Sequence, residues 1–262
     1  MSLLSHDRYC SEVEAQTGLL RSALHGTDLS TTVPTCPDWS LSELALHVGG
    51  AHRWAETIVR TRASEPVGPD AVPGAAGPDP LDAAGLDAWL AEGAETFART
   101  LRAADPAEEV WSWAPQQTPG FWARRMAHET VIHRADAFAT AGLDFTLDAD
   151  LAADCIDEWL EIGSYPQTVE RKPELKELLG PGRTIHLHAT DTPAELEAEW
   201  FVDLTGDRAT WRRAHEKAAV ALRGPLTDVL RVFYRRLPAD TDRVEVLGDR
   251  ELLDFWLERV TF

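Results

Sequence analysis

Glu129 and His133 stand four residues apart in Arg125-Met126-Ala127-His128-Glu129-Thr130-Val131-Ile132-His133-Arg134-Ala135-Asp136. On an α-helix that spacing leaves the two side chains about 40° apart around the axis, on one face and within reach of a single ion. His128 and His133 are about 140° apart on the same wheel. The segment is therefore not the His-Glu-x-x-His signature of metalloproteases, whose histidines sit at i and i+4. A metal held by Glu129 and His133 needs a third ligand from another element. A carboxylate in the set argues against a closed cysteine-rich site and for a catalytic one with an open position. The same spacing also fits an exposed glutamate beside a packing histidine.

Two histidines upstream are candidates for the third ligand. His47 falls on a stripe with Leu44, Ala51 and Trp54, and His52 on one with Leu41, Val48 and Ala55. They lie about 140° apart on the wheel, so at most one faces a common site. Helical spacing alone leaves the choice between them open.

The elements that must carry these residues follow from periodicity. Tyr9, Val13, Thr17, Leu20 and Leu24 predict a helix over residues 5–25. After a loop over 31–39, Ser40-Leu41-Ser42-Glu43 is a capping box that starts a second helix running to Arg60. Residues 63–82, rich in proline and glycine, form a long surface loop. Further helices are expected over 86–101, 121–140 and 148–162. These describe an antiparallel bundle, the architecture in which metal sites are built from facing helices. Beyond Gly180-Pro181-Gly182 the period becomes two: strands are expected over 184–190, 199–205, 217–222 and 244–247, with helices over 225–237 and 249–260. The fold class is thus a helical bundle over residues 1–170 followed by a small α+β domain over 180–262, with the boundary in the polar stretch 167–182.

Composition bounds the function. A net charge of −19 argues against nucleic acid and anionic membrane surfaces as partners. No apolar run reaches the ~18 residues of a membrane span and no signal-peptide pattern opens the chain, so a cytoplasmic protein is expected, monomeric or a weak homodimer. Cys10, Cys36 and Cys155 are too few and too scattered for a disulfide framework and are expected to be reduced, buried and small. Ten dispersed tryptophans suit a helical core and a cavity wall.

The stretch Val33-Pro34-Thr35-Cys36-Pro37-Asp38-Trp39-Ser40-Leu41-Ser42-Glu43-Leu44-Ala45-Leu46-His47, taken with the Arg125–Asp136 segment, resembles the mycothiol-dependent maleylpyruvate isomerase family of the DinB/YfiT-like superfamily. The segment from Leu222 to Leu237, with Val244-Glu245-Val246-Leu247-Gly248-Asp249, is similar to that family's sterol-carrier-like second domain, so the resemblance covers nearly the whole chain. It implies a DinB-like four-helix bundle holding a divalent metal, usually zinc, with ligands that fall on His47, Glu129 and His133. It further implies mycothiol as thiol co-substrate and a C-terminal-domain arginine that helps to bind an acidic substrate; Arg236, in the basic group Arg231, Arg235 and Arg236, is the candidate.

Other residues weigh in around this set. Asp136 lies on the Glu129/His133 face as a general base or a hydrogen-bond acceptor for a ligand. Arg125 and Arg134 could anchor carboxylates of an anionic thiol, or form salt bridges. His52 and His128 are assigned to packing or cavity lining. His186 and His188 share one side of a strand, and with no third ligand in view they read as an ordinary strand face.

The chemistry expected is activation of a thiol for attack on a small electrophile, as an isomerase or an S-transferase, in a cleft between the two domains. A hydrolase using bound water would be served by the same ligands. A non-catalytic stress or binding protein could keep the bundle with a purely structural metal.

Overall fold

A computed structural model describes residues 4–260. The chain forms two compact units, dividing between Phe145 and Thr146. The N-terminal unit is built from α1 (His6–Leu24), α2 (Leu41–Thr61), α3 (Ala83–Ala103) and α4 (Pro119–Ala141). Helices α1 and α2 each pack against both α3 and α4, which closes a four-helix bundle.

Local chemistry sets each helix end. The Ser5 hydroxyl caps α1 by accepting from Arg8 N at 3.1 Å. The Ser40/Glu43 capping box of α2 is complete: Ser40 Oγ accepts from Glu43 N, and Glu43 accepts from Ser40 N at 2.7 Å. Helix α4 starts with a Thr118 cap and Pro119 and stops at Gly142, whose φ of 68° is the left-handed conformation that closes a helix. The core of the unit holds Val13, Leu20, Leu41, Leu44, Ile58, Leu86, Phe97 and Trp122, all essentially inaccessible to water.

The stretch over 31–39 is not an irregular loop. Strands β1 (Thr32–Val33) and β2 (Cys36–Ser40) pair antiparallel as a small hairpin leading into α2. The long loop over 63–82 contains one 3₁₀ turn, Pro69–Ala71.

The C-terminal unit opens with α5 (Ala149–Ser164) and α6 (Pro166–Arg171). Its sheet comprises β3 (Thr184–Ala189), β4 (Glu199–Asp203), β5 (Thr210–Arg213), β6 (Val220–Gly224) and β7 (Glu245–Gly248), in the order β5-β4-β3-β6-β7. Only β3 and β6 run parallel; the other neighbours are antiparallel. Helices α7 (Leu226–Phe233) and α8 (Arg250–Arg259) complete the unit. Ile185, Leu187, Trp200, Val202, Val220 and Leu222 alternate along the strands as its buried face.

The expected boundary over 167–182, and with it a bundle extending to residue 170, is corrected by α5. That helix is tied to the second unit: Trp200 Nε1 donates to Asp157 at 2.7 Å, Arg213 adds a salt bridge to Asp157 at 2.8 Å, and Tyr234 Oη donates to Cys155 O at 2.9 Å. Its amphipathic pattern required a partner without saying which one. Strand β5 was missed because Thr-Trp-Arg-Arg carries too few apolar residues to show period two. No helix among the described residues is long and apolar enough to cross a membrane.

Where α2 meets α3, Gly49 faces the Trp89 ring, and a Cβ there would lie 2.1 Å from it. The ring is held, because its Nε1 donates to Gly74 O at 3.0 Å and the Arg53 guanidinium lies 4.0 Å from its centroid. Gly49→Ala would gain about 1 kcal/mol of helix propensity. Overpacking should outweigh that, at the upper end of about 1–3 kcal/mol. The expected outcome is a lower denaturation midpoint; an unchanged midpoint would show that the two helices separate freely.

Candidate metal centre

Helix α2 presents His47 and helix α4 presents Glu129 and His133 to one point. His47 Nε2 lies 3.0 Å and His133 Nε2 3.2 Å from the same atom, Glu129 Oε1. The two imidazoles meet edge to face with centroids 4.9 Å apart. One ligand atom from each of the three residues falls within 4.8 Å of the others. Glu129 retains 24 % side-chain exposure and His47 38 %, so the cluster opens to solvent on the His47 side.

The alternative histidine is used elsewhere. His52 is fully buried, with Nε2 2.8 Å from Thr130 Oγ1 and its ring stacked on Phe97 at 5.9 Å. Burial pushes its imidazole down to about 4, against the pull of the Glu129 charge, so it stays neutral. His128 is buried too, with its ring edge-on to Tyr9.

Behind His133 lies Asp136, wholly buried. Its Oδ2 is 2.9 Å from His133 Nδ1, and its Oδ1 accepts from Thr35 Oγ1 at 2.5 Å. Cys36 Sγ adds a contact to Oδ2 at 3.7 Å. Thr35 and Cys36 come from the β1–β2 hairpin, so the hairpin braces the carboxylate that orients the histidine. Of the two roles expected for Asp136, general base or acceptor for a ligand, this buried geometry favours the acceptor that positions His133. Cys36 is half-buried rather than buried.

The arginines divide. Arg125, one turn before Glu129, donates to Glu129 Oε2 at 2.8 Å and is itself buried. Arg134 points away, about 140° round the helix from Glu129. Its guanidinium lies over the Phe145 and Phe138 rings, 4.2 and 5.2 Å from their centroids. Arg236 belongs to the C-terminal unit, where its Nη1 donates to Tyr234 O at 2.8 Å. Trp39, at the end of the hairpin that leads into α2, lies beside both rings, with centroids 4.7 Å from His47 and 5.8 Å from His133.

Burial alone would raise the Glu129 carboxyl. The His133 charge, hydrogen bonds from His133 and His47, and Arg125 outweigh burial and hold it well below the usual carboxylate range. For His133, burial would depress the imidazole, but Glu129 and Asp136 raise it to about 9. Two imidazoles and a carboxylate are a zinc-type donor set, and an ion there would take the place of the His133 proton that now compensates Glu129. The Asp136 bond at Nδ1 leaves His133 Nε2 as the ligating atom, as carboxylate–histidine–metal arrangements require.

The structure thus defines a helical-bundle protein with a two-histidine, one-carboxylate centre and an appended mixed α/β unit. The chain belongs to the mycothiol maleylpyruvate isomerase family: residues 10–138 match the mycothiol maleylpyruvate isomerase N-terminal domain and residues 150–255 match the corresponding C-terminal domain. Among solved structures it is similar to a mycothiol-dependent maleylpyruvate isomerase, with 16% identity and a TM-score of 0.56. A histidine-to-alanine mutant of a protein so titled gives 14% identity and a TM-score of 0.58. Each comparison covers 94% of this chain and 95% of the other, and at these identities the likeness is one of fold. No curated protein matches the sequence.

The coupled charges predict how the metal-free protein responds to pH. His133 is raised from 6.5 to about 9, so its contribution is full below 6.5 and disappears as pH rises through 9. Glu129 is depressed, so its contribution is present above 4.5 and is lost as pH falls through its lowered value. With chelator present, the melting temperature should fall between pH 7 and pH 9.5, and His133→Gln should flatten that fall. An equally steep fall in the variant would place its origin outside this cluster.

Proposed function

We propose that the chain is a thiol-dependent isomerase or S-transferase whose His47, Glu129 and His133 hold one divalent metal ion, with mycothiol as the thiol and a small electrophile as its partner. Zinc is the ion the donor set suits best. The observation that carries this reading is the convergence of His47 Nε2 and His133 Nε2 on Glu129 Oε1. Membership of a family of thiol-using isomerases supplies the reaction class.

A bound zinc ion supplies Lewis-acid character, which keeps a thiol ionised near neutral pH, where a free one is only slightly so. The chain's own residues do the rest. Asp136 keeps the His133 proton on Nδ1 and so leaves Nε2 as the donor. Arg125 offsets the Glu129 charge and fixes one of its oxygens, which makes it an orienting residue rather than an anchor for the thiol. Trp39 gives the histidine pair an apolar flank, suited to excluding water beside a nucleophile.

His47→Ala and Glu129→Ala should each lose one equivalent of bound metal by elemental analysis and lose thiol-dependent turnover of a maleylpyruvate-type substrate. Full occupancy in both variants would sink the site. Hydrolysis of an ester or amide without added thiol, at the rate seen with it, would favour a water-activating enzyme instead. Asp136→Asn should leave the fold intact but weaken metal binding about 10–100-fold, measured by competition with a chromophoric chelator. Unchanged affinity would remove Asp136 from its positioning role.

A further inference from the structure

A second convergence of ligand-type side chains lies in the C-terminal unit. His188 on β3 pairs directly with Glu199 on β4, and His186 lies two residues back on the same face. Beyond β5, Ala214 N donates to Glu199 O at 3.1 Å, which brings the next residue, His215, over Glu199. Three imidazole nitrogens meet a single atom, Glu199 Oε2: His186 Nε2 at 2.9 Å, His188 Nδ1 at 2.8 Å and His215 Nδ1 at 2.6 Å. The three rings stand mutually edge-on with centroids 5.4, 5.5 and 5.5 Å apart, close to an equilateral triangle. Four potential ligand atoms lie within 4.8 Å of one another.

Hydrogen bonding alone explains this poorly. A carboxylate oxygen has about two lone-pair sites, and here three nitrogens crowd onto one oxygen. Donors at the corners of a tetrahedral zinc site stand about 3.3 Å apart, given bonds near 2.0 Å. The three His–Glu199 spacings fall short of that by about 0.4–0.7 Å, and all four donor atoms lie within 4.8 Å of one another, so an outward movement of Glu199 Oε2 from between the nitrogens would admit an ion. The set contains no thiolate and only one oxygen donor, which selects late first-row divalent ions over calcium or magnesium. His215 is largely exposed while His186 is buried, so the cluster has an anchored side and a side open for entry.

We propose that His186, His188, Glu199 and His215 form a second metal site, for a divalent transition-metal ion of the zinc class. Four protein donors fill a tetrahedral sphere, so the ion fastens rather than reacts. It ties β3, β4 and the chain leaving β5 together at the edge of the sheet. This site stands independently of the bundle centre.

Zinc equilibrated with full-length protein and counted by elemental analysis tests the proposal. The wild type should hold two equivalents, His47→Ala/Glu129→Gln one, and His188→Ala/His215→Ala one. If the wild type holds one, its loss in the His188/His215 variant and not in the bundle variant supports this site and sinks the bundle reading. Retention of wild-type stoichiometry in a folded His188→Ala/His215→Ala protein overturns the proposal, as does a wild type that binds none. Should that double variant fail to fold, His215→Ala alone, a change at an exposed side chain, should weaken one zinc site about tenfold or more; unaltered affinity at both sites overturns it equally.

Discussion

A carboxylate drawn into a helical bundle has to be compensated, and the compensation of Glu129 organises the N-terminal unit. His47, His133 and Arg125 surround its two oxygens at 2.8–3.2 Å. Each of these groups makes demands in turn. His133 requires Asp136, Asp136 requires the Thr35 hydroxyl, and Thr35 requires a hairpin where a loose connection would otherwise suffice. Removing one partner from such a buried network leaves the others uncompensated, which is why its members are expected to act together rather than additively.

Much of this was legible in the sequence because helices announce their phase. Glu129 and His133 share a face by spacing alone, and the Ser40/Glu43 box placed the start of α2 to the residue. Periodicity could not choose between His47 and His52, since both fall on apolar stripes; family resemblance pointed to His47. In the structure, burial distinguishes them: His52 lies deep between α2 and α4 with Thr130 as its partner, and His47 stands at the solvent-facing rim. The sequence left Arg134 open between anchoring an anion and a salt bridge, and its stacking on Phe138 and Phe145 depends on a segment beyond the helix that periodicity does not place. Long-range pairings left the weakest trace. Nothing local to Glu199 or His215 signals that strand register will bring both to His186 and His188, and α5 carries no mark of the unit it joins.

The two ligand clusters differ in what they leave open. In the bundle, three ligand-type side chains converge from two helices, and His47 among them is exposed to solvent. On the sheet, four donors converge from three neighbouring segments. An open sphere admits a reacting group, while a filled one restrains the chain that supplies it. The second arrangement sits where restraint is useful, because β5 is a short edge strand whose outer side, among the described residues, has no neighbour in the sheet.

The position of His47 within α2 has a kinetic side. It lies in the second turn, seven residues after the Ser40 cap, whereas Glu129 and His133 lie in the middle of a 23-residue helix. Helix ends open and reclose far more often than whole domains unfold. The first donor to let go would therefore be the histidine nearest a terminus, with the capping box as its latch. Exchange of a bound ion would then follow the breathing of two helical turns, at a rate set by Ser40 and Glu43, neither of which touches the ion.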